Sequence, residues 1–330
     1  MFASPYLSLP RFVPARCRLI PAVFTTRDHN AIAAGLLCAL IFWGANNTAV
    51  KYLVREWPPM WIACSRMWCV GAIFYVLLRW TDWFGATHAM TPELRRSVWR
   101  RSSLSLAVYV LAFTVSLMFT SASHVALYLG ASPVWALLAE GRPRANLDSL
   151  RRYGAAALAL SGLVILFWPK LQAGGGDWRG DLLAFGASFL WTMYGRQCRD
   201  LAQTLSGAEI TASTMWRAAA WLTPGALWEA SRGNIAFTWP LVGVHAYCTV
   251  FGGVLAFALY NNALRHWPVS QVFLFSNLIP ASTMVWAWLL LGEPVTSTFW
   301  AAMVLVIAGV ALGQFKRTPR ATELCPTPNE

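Results

Sequence analysis

Only fourteen of the 330 residues are Asp or Glu, and each falls in a tail, a connection or the end of an apolar run, never near its middle. A proton-driven pump ordinarily needs a titratable group along its pathway, and among the deep positions only His124 is a candidate. Strict proton coupling is therefore not expected. The seven cysteines, Cys17, Cys38, Cys64, Cys69, Cys198, Cys248 and Cys325, lack the paired spacing of a zinc site or a disulfide framework. The glycines at 174 to 176 lack the Lys and the Ser or Thr of a phosphate-binding loop, and there is neither a two-histidine metalloprotease helix nor a nucleophile elbow. No enzyme chemistry, metal or cofactor is expected.

What the chain does have is apolar length. With 57% apolar and 12% charged residues, it has too little polar surface to cover a soluble domain. Ten stretches are long enough to cross about 30 Å of hydrocarbon. They run roughly over 31–53, 58–79, 102–120, 121–139, 153–169, 181–199, 209–229, 240–263, 268–291 and 296–315. Runs this long and this continuously apolar are helices, because a lone helix satisfies its own backbone in lipid. The fold class is an all-α integral membrane protein.

The second half repeats the first. At an offset of 148, Trp43 meets Trp191, Lys51 meets Arg199, and SRMW (Ser65, Met67, Trp68) meets STMW (Ser213, Met215, Trp216). At an offset of 147, Ser123, Val125, Leu127 and Pro133 meet Ser270, Val272, Leu274 and Pro280, and Leu158 and Gly162 meet Leu305 and Gly309. An ordered series in one register argues for duplication. Five spans in each unit force the copies upside down relative to each other, the pattern of carriers that expose a central site alternately to each side. The units are 31–170 and 180–315, between tails at 1–30 and 316–330.

The net charge of +12 follows the same topology. Arg11, Arg16, Arg18 and Arg27, then Arg79, Arg95, Arg96, Arg100 and Arg101, then Arg142, Arg144, Arg151 and Arg152 fall on one side, with Arg196, Arg199, Arg265, Lys316, Arg317 and Arg320. Lys51, Arg55, Lys170, Arg179 and Arg232 remain on the other. Positive residues stay inside, which puts both termini in the cytoplasm and makes the basic excess a topology signal rather than a nucleic-acid footprint.

Polar residues inside a bilayer are costly and mark candidate sites. Arg66 and Arg217 are the deepest charges, each near the middle of the second span of its unit, with Arg66 aligned to Thr214. Together they could attract an anionic group such as a carboxylate; alternatively each bonds to backbone carbonyls. Asn46, Tyr260, Asn261 and Gln271 are candidate orienting contacts or interhelical bonds, and His124 is the candidate proton-sensitive group. Pro133 and Pro280, equivalent in the fourth and ninth spans, are candidate hinges or static kinks. Gly309 and Gly313 form a small-residue pair suited to close helix contact.

These residues resemble the drug/metabolite transporter superfamily in its EamA-like ten-span branch. The first unit carries FWGANNTAVKYLV, SRMW and TSASHVALYLGASPVW; the second carries GDLLAFGASFLWTMYGRQ, LAFALYNNALRHWPVSQ, NLIPA and LLLGEPVT. The resemblance implies a cavity built from spans 1 to 4 and 6 to 9, with spans 5 and 10 peripheral. It also implies export of small metabolites such as amino acids, or of amphipathic compounds, across a bacterial inner membrane. By motif it points to Trp43, Asn46 and Lys51, to Arg66, to Tyr260, Asn261 and Leu264, and to a structural Glu293. One departure follows Pro133, where Glu140, Gly141, Arg142, Pro143 and Arg144 replace the Gly-Glu turn of the pattern and shorten the fourth span. Two other readings are an antiporter of phosphorylated metabolites or nucleotide sugars, and a non-transporting sensor or assembly protein. The partners expected are a small-molecule substrate and the lipid bilayer, with no nucleic acid, in a monomer or weak homodimer. Reporter fusions after residue 320 are expected to give a cytoplasmic signal, whereas a reporter inserted after Arg179 gives the opposite one.

Overall fold

The structure, a computed structural model, describes residues 28–81, 83–84, 87–130, 132, 135, 147–172, 178–233, 235–267, 272, 275–276 and 278–314. Ten helices run through these residues, and no strand is found among them. They are α1 His29–Leu53, α2 Pro59–Trp80, α3 Pro92–Phe119, α4 Ala122–Gly130 and α5 Leu147–Gln172 in the first unit. The second unit has α6 Trp178–Leu201, α7 Gly207–Arg232, α8 at 239–266, α9 Leu278–Leu291 and α10 Ser297–Gln314. Four of them, α1, α2, α3 and α8, are long and apolar enough on their own to cross a membrane. The third helix starts ten residues earlier than its apolar run. The Thr91 hydroxyl caps it and Pro92 sits in its first turn, so a polar, arginine-bearing segment is helical too.

Local chemistry sets several ends. Glu209 and Ser206 cap each other at the start of α7 in a reciprocal capping box. Gly292, with φ of 66°, ends α9 in the left-handed conformation that glycine adopts without strain. The next residue, Glu293, reaches across to the start of α4. Its carboxylate accepts from the Ala122 and Ser123 amides at 2.9 and 3.3 Å and from the Ser123 hydroxyl at 2.9 Å. The Gly-Glu pair therefore closes one helix and caps another, since a carboxylate is favoured at a helix N-terminus. Lys51 does the complementary job, donating to the Leu117 and Thr120 carbonyls at the end of α3.

Helix pairing follows a pseudo-two-fold pattern. α2 packs on α7, α5 on α10 and α4 on α9, each against its own repeat partner. α1 packs on α8 and α9, while their counterparts α6, α3 and α4 pack in the same way. Reciprocity reaches individual residues at the α5–α10 crossing. A Cβ on Gly162 would meet the Ala302 carbonyl at 2.7 Å, and one on Gly309 would meet the Ala155 carbonyl at 2.6 Å. Ala155 and Ala302 differ by the same 147 residues as Gly162 and Gly309. Gly309 is thus used within the fold, and the surroundings of Gly313 lie outside the described residues. In α2, a Cβ on Gly71 would meet the Trp216 backbone nitrogen at 2.9 Å.

Both third helices carry a π-helical stretch at related positions, Val98–Ser102 in α3 and Cys248–Leu255 in α8. Such stretches shift the hydrogen-bond register and release a carbonyl for other partners. In each a tryptophan indole takes up a carbonyl. Trp221 donates to Trp99 at 3.2 Å, and Trp43 to Gly252 at 3.0 Å.

Replacing Gly309 with Leu puts a side chain where backbone atoms now touch. It is expected to cost about 1–3 kcal/mol and to lower the thermal midpoint in detergent. The same change at Gly186, where a Cβ would meet nothing within 4 Å, should leave the midpoint unchanged.

A candidate substrate cavity

The helix pairing leaves a central cavity of about 140 Å³. By volume it holds on the order of ten waters, or a solute of similar heavy-atom count. Its described lining comes from α1 to α4, from α6 to α8, and from Ser276 and Ile279 at the start of the ninth helix; no described residue of α5 or α10 is on it. Trp43, Tyr109, Phe113, Trp191, Phe257 and Tyr260 supply aromatic walls. Trp43 lies 5.3 Å from Phe257 and 4.9 Å from Tyr260 by ring centroid, and its counterpart Trp191 lies 4.9 Å from Tyr109. Tyr109 and Phe257 are themselves 148 residues apart, so the two walls are copies of one arrangement.

Among the described lining residues, Arg66 is the only ionisable side chain apart from the tyrosine hydroxyls. It projects from α2 with 6% of its surface exposed, and Nη2 donates to Asn46 Oδ1 of α1 at 2.9 Å. Nε has no hydrogen-bond partner among the described residues. A guanidinium offers five N–H donors in a fixed fork, so most of its capacity is uncommitted. Asn46 can come this close because of Gly252: a Cβ there would fall 2.5 Å from Asn46 Oδ1. In the second unit the Arg66–Asn46 contact recurs as a neutral pair at the aligned positions, Tyr194 and Thr214, 3.0 Å apart. Duplication supplied the geometry, and substitution placed a charge on one side only.

Tyr260 joins Arg66 and Asn46 at the cavity, where Ser276 is also on the lining. Asn47 also reaches the lining, but its amide donates to Thr283 Oγ1 at 3.1 Å and braces α1 against α9. The other expected residues lie elsewhere. Arg217 is absent from the lining; its Nη1 donates to the Ser213 carbonyl and its guanidinium stacks 4.3 Å from the Trp216 ring. The two arginines expected to share one anion thus have different surroundings: Arg66 lies on the cavity lining, whereas the Arg217 guanidinium is engaged by Ser213, Trp216 and Trp99. Asn261 lines a separate cavity of about 20 Å³ beside Gly207 and lies 3.5 Å from Thr211 Oγ1. His124 is also off the lining, 3.7 Å from Asp181, whose carboxylate accepts from Thr120. Pro280 packs against Gly130 where α4 and α9 meet. Gln271, Pro133 and the altered segment 140–144 lie outside the described residues, and so does the side chain of Leu264.

Three contributors escaped the sequence reading. His245 of α8 lies 2.9 Å from the Ser65 hydroxyl, next in sequence to Arg66, and stacks 5.5 Å from Trp57. Because Ser65 also donates to the Trp61 carbonyl at 2.8 Å, His245 Nε2 carries the proton in this bond. Tyr109 and the Gly252–Gly253 pair are the others. The paired glycines inside an apolar run were the available signal for close backbone approach.

Against known proteins, the EamA-like transporter family matches the chain at residues 30–168 and 178–313. An uncharacterized transporter of Bacillus subtilis (strain 168), YyaM, is 26% identical over 301 residues, covering 86% of this chain and 93% of that protein. An uncharacterized transporter of Archaeoglobus fulgidus is 23% identical over 291 residues, covering 86% of this chain and 96% of the relative. A solved crystal structure shares the fold with a TM-score of 0.59 at 16% identity, over 86% of this chain and 96% of the other. The chain belongs to the EamA-like transporter family, with one copy of the family unit in each half.

Replacing Asn46 with Ala removes the partner of Arg66 Nη2 and leaves a buried donor unmet. The expected cost is about 1–3 kcal/mol, read as a lower thermal midpoint in detergent. Asn261→Ala, which removes one long contact, should cost about 0.6 kcal/mol or less.

Proposed function

We propose that this member of the EamA-like transporter family exports small anionic or zwitterionic metabolites, such as amino acids or amphipathic compounds, from the cytoplasm by alternating access. The observation that carries the reading is Arg66: a cation with uncommitted donors on the wall of an aromatic cavity that holds no carboxylate among its described lining residues. An incoming carboxylate can accept two N–H bonds from one guanidinium, while the aromatic walls receive an apolar body. Asn46 fixes the fork, and Tyr260 offers a hydroxyl at the α8 wall. The two inverted units rock around this cavity, with both termini in the cytoplasm of an inner membrane. Movement is not strictly coupled to protons, since the described lining residues include no carboxylate to carry one.

The single cation among the described lining residues favours this reading over phosphorylated metabolites or nucleotide sugars, which carry more negative charge. Uptake of labelled amino acids, amphipathic anions and amphipathic cations into proteoliposomes tests it. Saturable flux of the anionic or zwitterionic compounds is expected without a pH gradient. Arg66→Ala should reduce that flux at least about tenfold, the loss of one charge-assisted hydrogen-bonded contact, in protein that remains folded. Undiminished flux in Arg66→Ala would sink the assignment of Arg66, and flux that needs a gradient would overturn uncoupled movement. No flux of any compound would favour a non-transporting role.

A further inference from the structure

Arg217 is not used by the central cavity, and its surroundings have the features of a second site. Only 6% of the residue is exposed. Its Nη1 donates to the Ser213 carbonyl at 2.8 Å, one turn nearer the start of α7, so the side chain reaches back toward that end of the bundle. The guanidinium lies over Trp216 at 4.3 Å and beside Trp99 at 5.7 Å. Its Nε has no hydrogen-bond partner, and among the described residues it forms no ion pair. The charge that acts on it is a second cation, Arg95, exposed on the first turns of α3. A buried guanidinium that feels a second positive charge and keeps an unmet donor is unfavourable in a low-dielectric setting unless an anion joins it.

The same place borders an exposed aromatic surface. Trp68 and Trp221 flank it with 42% and 47% of their surface exposed. Their indole N–H groups are already engaged, by Thr223 Oγ1 and by the Trp99 carbonyl, so the rings present apolar faces rather than donors. Free phosphate would gain nothing from such walls. A lipid would gain on both counts, its phosphate between two guanidiniums and its acyl chain over the tryptophans.

We infer that the surface where α2, α3 and α7 meet binds an anionic glycerophospholipid through Arg217 and Arg95. That the lipid comes from the cytoplasmic leaflet, where anionic headgroups are concentrated, rests on the orientation given above for the termini. Reversed topology would move the site to the other leaflet without abolishing it, and the residue-320 reporter separates the two cases.

The test uses the full chain in uncharged detergent, with the thermal midpoint followed as lipid is added. Dioleoyl phosphatidylglycerol is expected to raise the midpoint saturably, whereas dioleoyl phosphatidylcholine and inorganic phosphate are not. Arg217→Met should remove the phosphatidylglycerol-specific shift. Arg95→Gln, a change at an exposed position that folding does not need, should weaken the apparent affinity about five-fold, corresponding to about 1 kcal/mol for one basic residue at an anionic lipid. Arg55→Gln, at the opposite end of the bundle, and Arg66→Ala, in the cavity, should leave the shift unchanged. Equal shifts with both lipids, a shift produced by inorganic phosphate alone, or an equal loss in Arg55→Gln would each overturn the proposal. Should Arg217→Met fail to fold, an unaltered shift in Arg95→Gln would overturn it by itself. Because the readout is lipid binding and not flux, it stands or falls separately from the role of Arg66.

Discussion

Helices in a bilayer gain nothing by hiding apolar surface from one another, since lipid tails are as apolar as leucine. How closely two backbones can approach therefore governs this fold. The crossing of α5 and α10 is closed by Gly162 and Gly309, and that of α2 and α7 by Gly71 against the Trp216 backbone. Gly44 does the same for α1 and α9, where a Cβ would meet Ser282 Oγ at 2.2 Å. These contacts lock each helix to its repeat partner or to a reciprocal neighbour. The cavity is the volume that such pairing leaves over.

Polar groups then find partners across the joins between units. Asn47 meets Thr283, Trp43 meets the Gly252 carbonyl, and Glu293 of the second unit caps α4 of the first. Bonds of this kind hold two inverted copies in one register while contributing only about 0.6 kcal/mol each in a membrane.

The symmetry is broken where chemistry is required. Arg66 and Asn46 occupy the positions that Thr214 and Tyr194 fill in the other unit. Arg217, one turn beyond the aligned position, faces the tryptophans instead of the cavity. Two arginines that look alike along the chain thus have different environments, one on the cavity wall beside Asn46, the other stacked against Trp216 and Trp99. A shift of three residues on a helix with 3.6 per turn is enough to alter the direction by about 60°.

Ten helices, the duplication, the five-span units and the family were all legible in the sequence, because hydrophobic length and repeat register are properties of the chain itself. Arg66, Asn46 and Tyr260 were legible as costly polar residues inside spans. The role of Glu293 was legible only as part of a motif, since its target, the start of α4, is 170 residues away. Which face each residue presents was not written locally. Arg66 and Arg217 separate, Asn261 turns to Gly207, and His245 arrives beside Ser65 because helix rotation is set by where glycines permit contact with neighbours from the other unit. The sequence alone determined how many helices there are and that they duplicate; only the tertiary structure decided which charge faces the cavity, because that depends on contacts between residues far apart along the chain.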